Sequence, residues 1–110
     1  MQFKRAMADL VMAGKKTQTR RINPAPRWMI PGRRVPVQCG YRDKAMGYIV
    51  LDRVYYQRLG KMLQSDIEAE GFQDFDTFMD YINSINKKGK RLIPSSTVTV
   101  YKFHLEATDE

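Results

Sequence analysis

The order of local patterns constrains this chain more than any single motif. A helical stretch comes first, then three β-rich stretches in succession, then two helices, then a last strand. Parallel doubly wound sheets need strands and helices to alternate, because each parallel strand returns through a crossover. That alternation is absent. The expected class is therefore α+β: a small mixed or antiparallel β-barrel with flanking helices.

Phe3, Ala6, Met7, Leu10 and Val11 recur at i, i+3, i+4, i+7 and i+8, which predicts an amphipathic helix over 3–13. Gly14 stands where a C′ glycine would stop it. Lys15 to Ile22 is β-compatible through its threonines but too polar for a buried strand. Alternation places Thr17, Thr19 and Arg21 on one side of it and Gln18, Arg20 and Ile22 on the other. Pro24, Pro26, Pro31 and Gly32 make residues 23–34 a loop. Val35, Val37 and Cys39 alternate as a short strand, which Pro36 confines to an edge or a strand start.

The run from Gly47 to Tyr56 is the strongest strand signal. Ser65-Asp66-Ile67-Glu68 matches a capping box, predicting a short helix from Asp66 to Gly71. Phe75, Phe78, Met79, Ile82 and Ile85 give a second amphipathic helix over 75–86. Lys87 to Arg91 forms a basic loop, and Thr97 to Leu105 is the last strand. With 110 residues the chain reads as one domain, 1–110. One cysteine excludes an internal disulfide framework and a four-cysteine zinc site. No apolar run reaches membrane-span length and no signal pattern opens the chain, so the expected location is cytoplasmic.

Charge is unevenly spread. Residues 1–42 carry ten basic side chains and a single acid, Asp9, whereas 43–86 carry four basic and eight acidic ones. Such polarity suggests a basic face and a polyanionic partner. The plainer alternative is a surplus that serves solubility.

Several familiar chemistries are excluded or weak. Gly14-Lys15-Lys16-Thr17 lacks the earlier glycine of a P-loop, since Asp9 occupies that place, and it follows a helix instead of a strand. His104 is the only histidine, which removes most metal and triad arrangements. On a strand it reads as a satisfied or solvent-facing side chain, and Cys39 reads as a small apolar one. No cofactor is expected. Two elements stand out together: the cationic, hydroxyl-rich strand Lys16 to Arg21, and the short helix bearing Glu68 and Glu70. Unless they meet in a site, they are a solvated edge strand and a solvated acidic helix.

These residues resemble the ASCH domain, a small β-barrel family related to PUA-type RNA-binding modules. The resemblance rests on Ala13-Gly14-Lys15-Lys16-Thr17-Gln18-Thr19-Arg20-Arg21, on Pro31-Gly32, and on Asp66 to Phe72 followed by Phe75 and Phe78. The closing Val98 to Phe103 strand completes it, and Arg33 stands where the family usually has aspartate. Some small bacterial members remove the acetyl group from N4-acetylcytidine with a lysine, a threonine and a glutamate. The resemblance carries these roles onto Lys16, Thr19 and Glu70. Other members bind or cleave RNA, so likeness specifies a pocket better than an activity.

Lys16 is under opposed pulls. Burial and the cations Lys15, Arg20 and Arg21 favour the neutral amine that a base requires, whereas a close Glu70 carboxylate favours the ammonium of a binder. The reading adopted is a pocket lined by Lys16, Thr19, Arg21 and Glu70 that takes a nucleobase, a modified nucleoside or single-stranded nucleic acid, RNA first. Arg20, Arg27, Arg33, Arg34 and the loop with Lys88, Lys90 and Arg91 form its phosphate-contacting rim. The alternatives are an N4-acetylcytidine amidohydrolase, with Thr19 as nucleophile, Lys16 as base and Glu70 as acid/base, or a ribonuclease. A monomer or weak dimer is expected. Tyr41, Tyr48, Tyr55 and Tyr56 are candidates for base stacking, although packing explains most tyrosines equally well.

Overall fold

Strands form where β-branched and aromatic residues can pack across a pleated surface. The computed structural model describes residues 1–86 and 89–107. It contains β1 (Gln18–Arg21), β2 (Arg34–Val37), β3 (Gly47–Arg58) and β4 (Thr97–Leu105), arranged β1-β4-β3-β2 with each pairing antiparallel. β1 and β2 remain as edges, so the α+β architecture is a curled half-barrel and not a closed barrel. Leu51 faces Phe103 and Arg53 faces Lys102, which leaves Asp52 as the extra residue of a bulge. A bulge of this kind adds the local twist a curled sheet needs.

The helices are α1 (Arg5–Met12), α2 (Gln64–Ala69) and α3 (Phe75–Ile85). α1 starts after Phe3, because the Phe3 N–H donates to the Gln38 carbonyl at 2.8 Å beside β2. α2 starts two residues before the expected Asp66. There the Leu63 N–H donates to the Asp66 carboxylate at 2.9 Å, so Asp66, and not Glu68, closes the helix start. Among the described residues no helix is long and apolar enough to cross a membrane.

Two apolar clusters hold the structure together. Phe3, Ala8, Val11 and the inner faces of β2, β3 and β4 form one; Leu59, Phe78, Met79, Ile82, Leu92 and Val98 form the other, under α3. α1 and α2 both end in Schellman motifs. Gly14 N–H donates to the Val11 carbonyl and Lys15 N–H to the Leu10 carbonyl; Gly71 N–H donates to Glu68 and Phe72 N–H to Ile67. Both glycines have positive φ, +74° and +97°. The Thr17 N–H then donates to the Ala69 carbonyl at 2.8 Å, joining the two helix ends. This junction brings Lys16 alongside Glu70.

A side chain at either glycine is strained. At Gly71 it also meets Leu10 Cδ1 at 2.9 Å, whereas at Gly14 it meets open space. Gly71→Ala is expected to cost about 1–2 kcal/mol in urea unfolding, with Gly14→Ala the milder of the two. Equal stability of Gly71→Ala and wild type would contradict this account of the junction.

Candidate functional site

β1 is polar yet buried, which corrects the expectation that this stretch is too polar for a buried strand. Lys16, Gln18, Thr19 and Arg20 are all buried, with Lys16 at 3% and Glu70 at 2% exposure. Burial of so many polar groups requires partners, and the strand supplies them in a connected network. Lys16 Nζ donates to Glu70 Oε1 at 2.7 Å and to the Glu70 backbone carbonyl at 2.8 Å. Arg20 Nη1 donates to Glu70 Oε2 at 2.8 Å and to Gln18 Oε1 at 2.9 Å, while its Nη2 donates to Gln57 Oε1 at 2.9 Å. Gln18 Nε2 in turn reaches Asp66 Oδ1 at 3.1 Å. The network ties β1 to α2 and β3, and among the buried side-chain nitrogens and oxygens of the described residues only Arg20 Nε lacks a partner.

Electrostatics follow from this packing. Burial lowers the Lys16 pKa below the ordinary lysine value; Glu70 opposes the shift, and Arg20 and Arg21 add to it. The net direction is downward because burial outweighs the attraction of the Glu70 carboxylate, which Arg20 also engages. Burial raises the Asp66 carboxyl, but the Leu63 N–H and Gln18 amide overcome it and hold Asp66 below its ordinary value.

A cavity of about 250 Å³ opens beside the network, where the two apolar clusters adjoin. Lys16, Thr19, Arg20, Arg21 and Glu70 contribute its polar wall, and the aromatic side chains of Phe3, Phe78 and Tyr81 line it too. Arg21 lies over the Phe3 ring, 4.8 Å from its centroid, and its Nε donates to Thr19 Oγ1 at 3.1 Å. No hydrogen bond joins Thr19 to Lys16 among the described residues. An ammonium has three protons, and Glu70 occupies two acceptor positions, so one Lys16 proton remains for a ligand. The Thr19 hydroxyl, already accepting from Arg21, also keeps its proton to donate. The site is rich in donors.

No family model matches the chain, and no curated protein matches its sequence. Solved structures do match. Protein EF3133 from Enterococcus faecalis V583, described under the family model DUF984, superposes with a TM-score of 0.73 at 16% identity, over 92% of this chain and 67% of that one. The ASCH domain from Lactobacillus crispatus JV V101 gives 0.68 at 14% identity, over 91% and 70%. ASCH from Zymomonas mobilis gives 0.64 at 19% identity, over 94% and 64%. This chain has the ASCH-domain fold. It spans about two thirds of the length of each of these structures. At this identity the likeness carries the fold alone.

On the ASCH fold the expected rim is dispersed. Arg20 is buried in the Glu70 network, which corrects its assignment to the rim: its two terminal nitrogens donate to three side-chain carbonyl or carboxylate groups. Arg34 is exposed but already paired with Glu106 at 2.7 Å, and it stacks on Tyr48 at 3.4 Å. Arg27, Arg33, Lys90 and Arg91 are exposed and do not line the cavity. Lys88 lies outside the described residues. Tyr41 and Tyr56 are exposed, and Tyr55 lies against Arg53 and Lys102. His104 is exposed and pairs with Asp52 at 2.8 Å, away from the cavity lining. Cys39 is half-buried, lines the cavity and contacts Met46 Sδ at 3.6 Å.

Gln18, Gln57, Asp66 and Tyr81 were not singled out from sequence as site residues. Gln18 had a usable signal, because strand alternation puts it on the same side as Arg20. Gln57 and Tyr81 had none, since their placement depends on how β3 and α3 pack.

Proposed function

We propose that the cavity is a recognition pocket for a nucleobase, presented by single-stranded RNA or by a modified nucleoside. The observation that supports it most is the buried Lys16–Glu70–Arg20 cluster in the polar wall of a cavity that Phe3, Phe78 and Tyr81 also line. Its volume is below the roughly 300 Å³ at which ordinary ligand pockets begin, which suits a single small ligand unit and excludes a duplex. Lys16 and Thr19 offer protons to ring carbonyls, and Phe3, Phe78 and Tyr81 offer apolar contact to ring faces.

A second reading, amide hydrolysis of N4-acetylcytidine, has one observation in its favour: Lys16, whose pKa is lowered by burial, shares the cavity with Thr19. Against it, Thr19 accepts from Arg21 and has no base within hydrogen-bond distance among the described residues. One experiment separates the two. Purified protein is titrated calorimetrically with cytidine, uridine, adenosine, guanosine and N4-acetylcytidine, and the last is also followed by chromatography for released cytidine. The recognition reading expects saturable binding without cytidine release. Release that Thr19→Ala abolishes would replace it with the hydrolase. No binding of any nucleoside and no release would remove both.

A further inference from the structure

The polar groups of the cavity are out of balance. Among the described residues Glu70 is the one carboxylate in its lining, and both oxygens are taken, Oε1 by Lys16 and Oε2 by Arg20. Lys4 and Arg21 line the same cavity, and neither has a carboxylate within salt-bridge distance among the described residues. The Nε of Arg21 is spent on Thr19, and the Phe3 ring fixes its guanidinium in place. Lys4 is the N-cap of α1, where no side chain caps the backbone N–H groups and no acid sits in the first turn. A cleft lined by unmatched charge of one sign concentrates ligands of the other.

We infer that the ligand is phosphorylated, a nucleotide unit in place of a neutral nucleoside, with its phosphate held between Arg21 and Lys4 inside the cavity. The inference rests on the recognition reading and adds the substrate class and the position of the anion. It moves phosphate recognition from the exposed arginines to two cavity residues. A planar guanidinium suits this task, because it meets phosphate oxygens in a fork. Burial lowers the Arg21 pKa, and the Glu70 carboxylate opposes the shift.

The test compares each nucleoside with its 5′-monophosphate by calorimetry at low salt, and adds a 5′-phosphorylated dinucleotide and inorganic phosphate. The preferred monophosphate is expected to bind about tenfold or more tightly than its nucleoside, since one good charge-assisted contact supplies a factor of that size. Inorganic phosphate at millimolar concentration should compete with the monophosphate and leave the nucleoside titration unmoved. Lys4→Gln and Arg21→Gln should each pull the affinity ratio toward one. Lys4 is exposed, so its variant keeps the inference testable if Arg21→Gln fails to fold. Tighter binding of the dinucleotide than of the monophosphate supports the inference and assigns the phosphate to an RNA chain; the reverse order supports it and assigns a free nucleotide. Equal affinity for nucleoside and monophosphate overturns the inference alone. A ratio that survives both substitutions overturns the assignment to Arg21 and Lys4. Failure of every nucleoside and nucleotide to bind overturns the recognition reading as well.

Discussion

Glu70→Ala is expected to cost about 3–5 kcal/mol of folding stability, because it strands two buried cations at once. Lys16 and Arg20 are both buried and both donate to this carboxylate. An intact buried ion pair contributes little net stability, since desolvation offsets most of the attraction; removing one partner leaves the desolvation cost without the attraction. Glu70→Gln keeps the shape and one acceptor oxygen, so its loss should be smaller. Urea unfolding reads both, as a fall in midpoint at unchanged slope. A loss under about 1 kcal/mol for Glu70→Ala would mean that water reaches the cluster and that its charges are not desolvated.

The second large effect concerns binding. Lys16→Met removes the ammonium while leaving Arg20 on Glu70, so the protein should fold and yet bind the proposed nucleotide about 10–100-fold more weakly. The pH dependence carries the sign. Burial lowers the Lys16 pKa, so the ammonium proposed to contact the ligand is lost earlier on the alkaline side than from a free lysine, near about 10.4. Affinity should therefore fall as pH rises through that lowered pKa. Lys16→Met should be weak and flat across the same range. If affinity holds up to the titration of an ordinary lysine, charge pairing with Glu70 outweighs burial.

Much of the fold was legible because local periodicity and the long-range outcome agree. The β4 limits, Thr97 to Leu105, follow from a run of β-branched and aromatic residues that no turn residue interrupts. Gly14 ends α1 as its position implies, since few residues adopt its positive φ without strain. The errors occur where a tertiary contact overrides a local signal. Ser65 and Glu68 spell a capping box, but Asp66 reaches the free Leu63 N–H first, and α2 begins earlier. β1 reads as solvated because hydropathy counts each polar residue by itself, whereas Gln18, Arg20, Asp66 and Glu70 satisfy one another only after α2 packs against the strand. The same blindness put Arg20 on the rim. Lys16, Thr19 and Glu70 do line one cavity. What sequence could not supply is their connectivity: Lys16 bonds to Glu70, and Thr19 to Arg21.

The central claim, that the cavity between α1, β1 and α3 receives the base of a nucleotide, is tested most directly by mapping amide chemical shifts. The isotope-labelled protein is titrated with the monophosphate that calorimetry ranks first, and perturbed amides are assigned. The account predicts saturable shifts at Phe3, Lys16, Thr19, Arg21, Glu70 and Tyr81, following one binding isotherm and lost in Lys16→Met. Shifts confined to the exposed segments around Arg27, Arg33, Lys90 and Arg91, with the cavity amides unmoved, would contradict it.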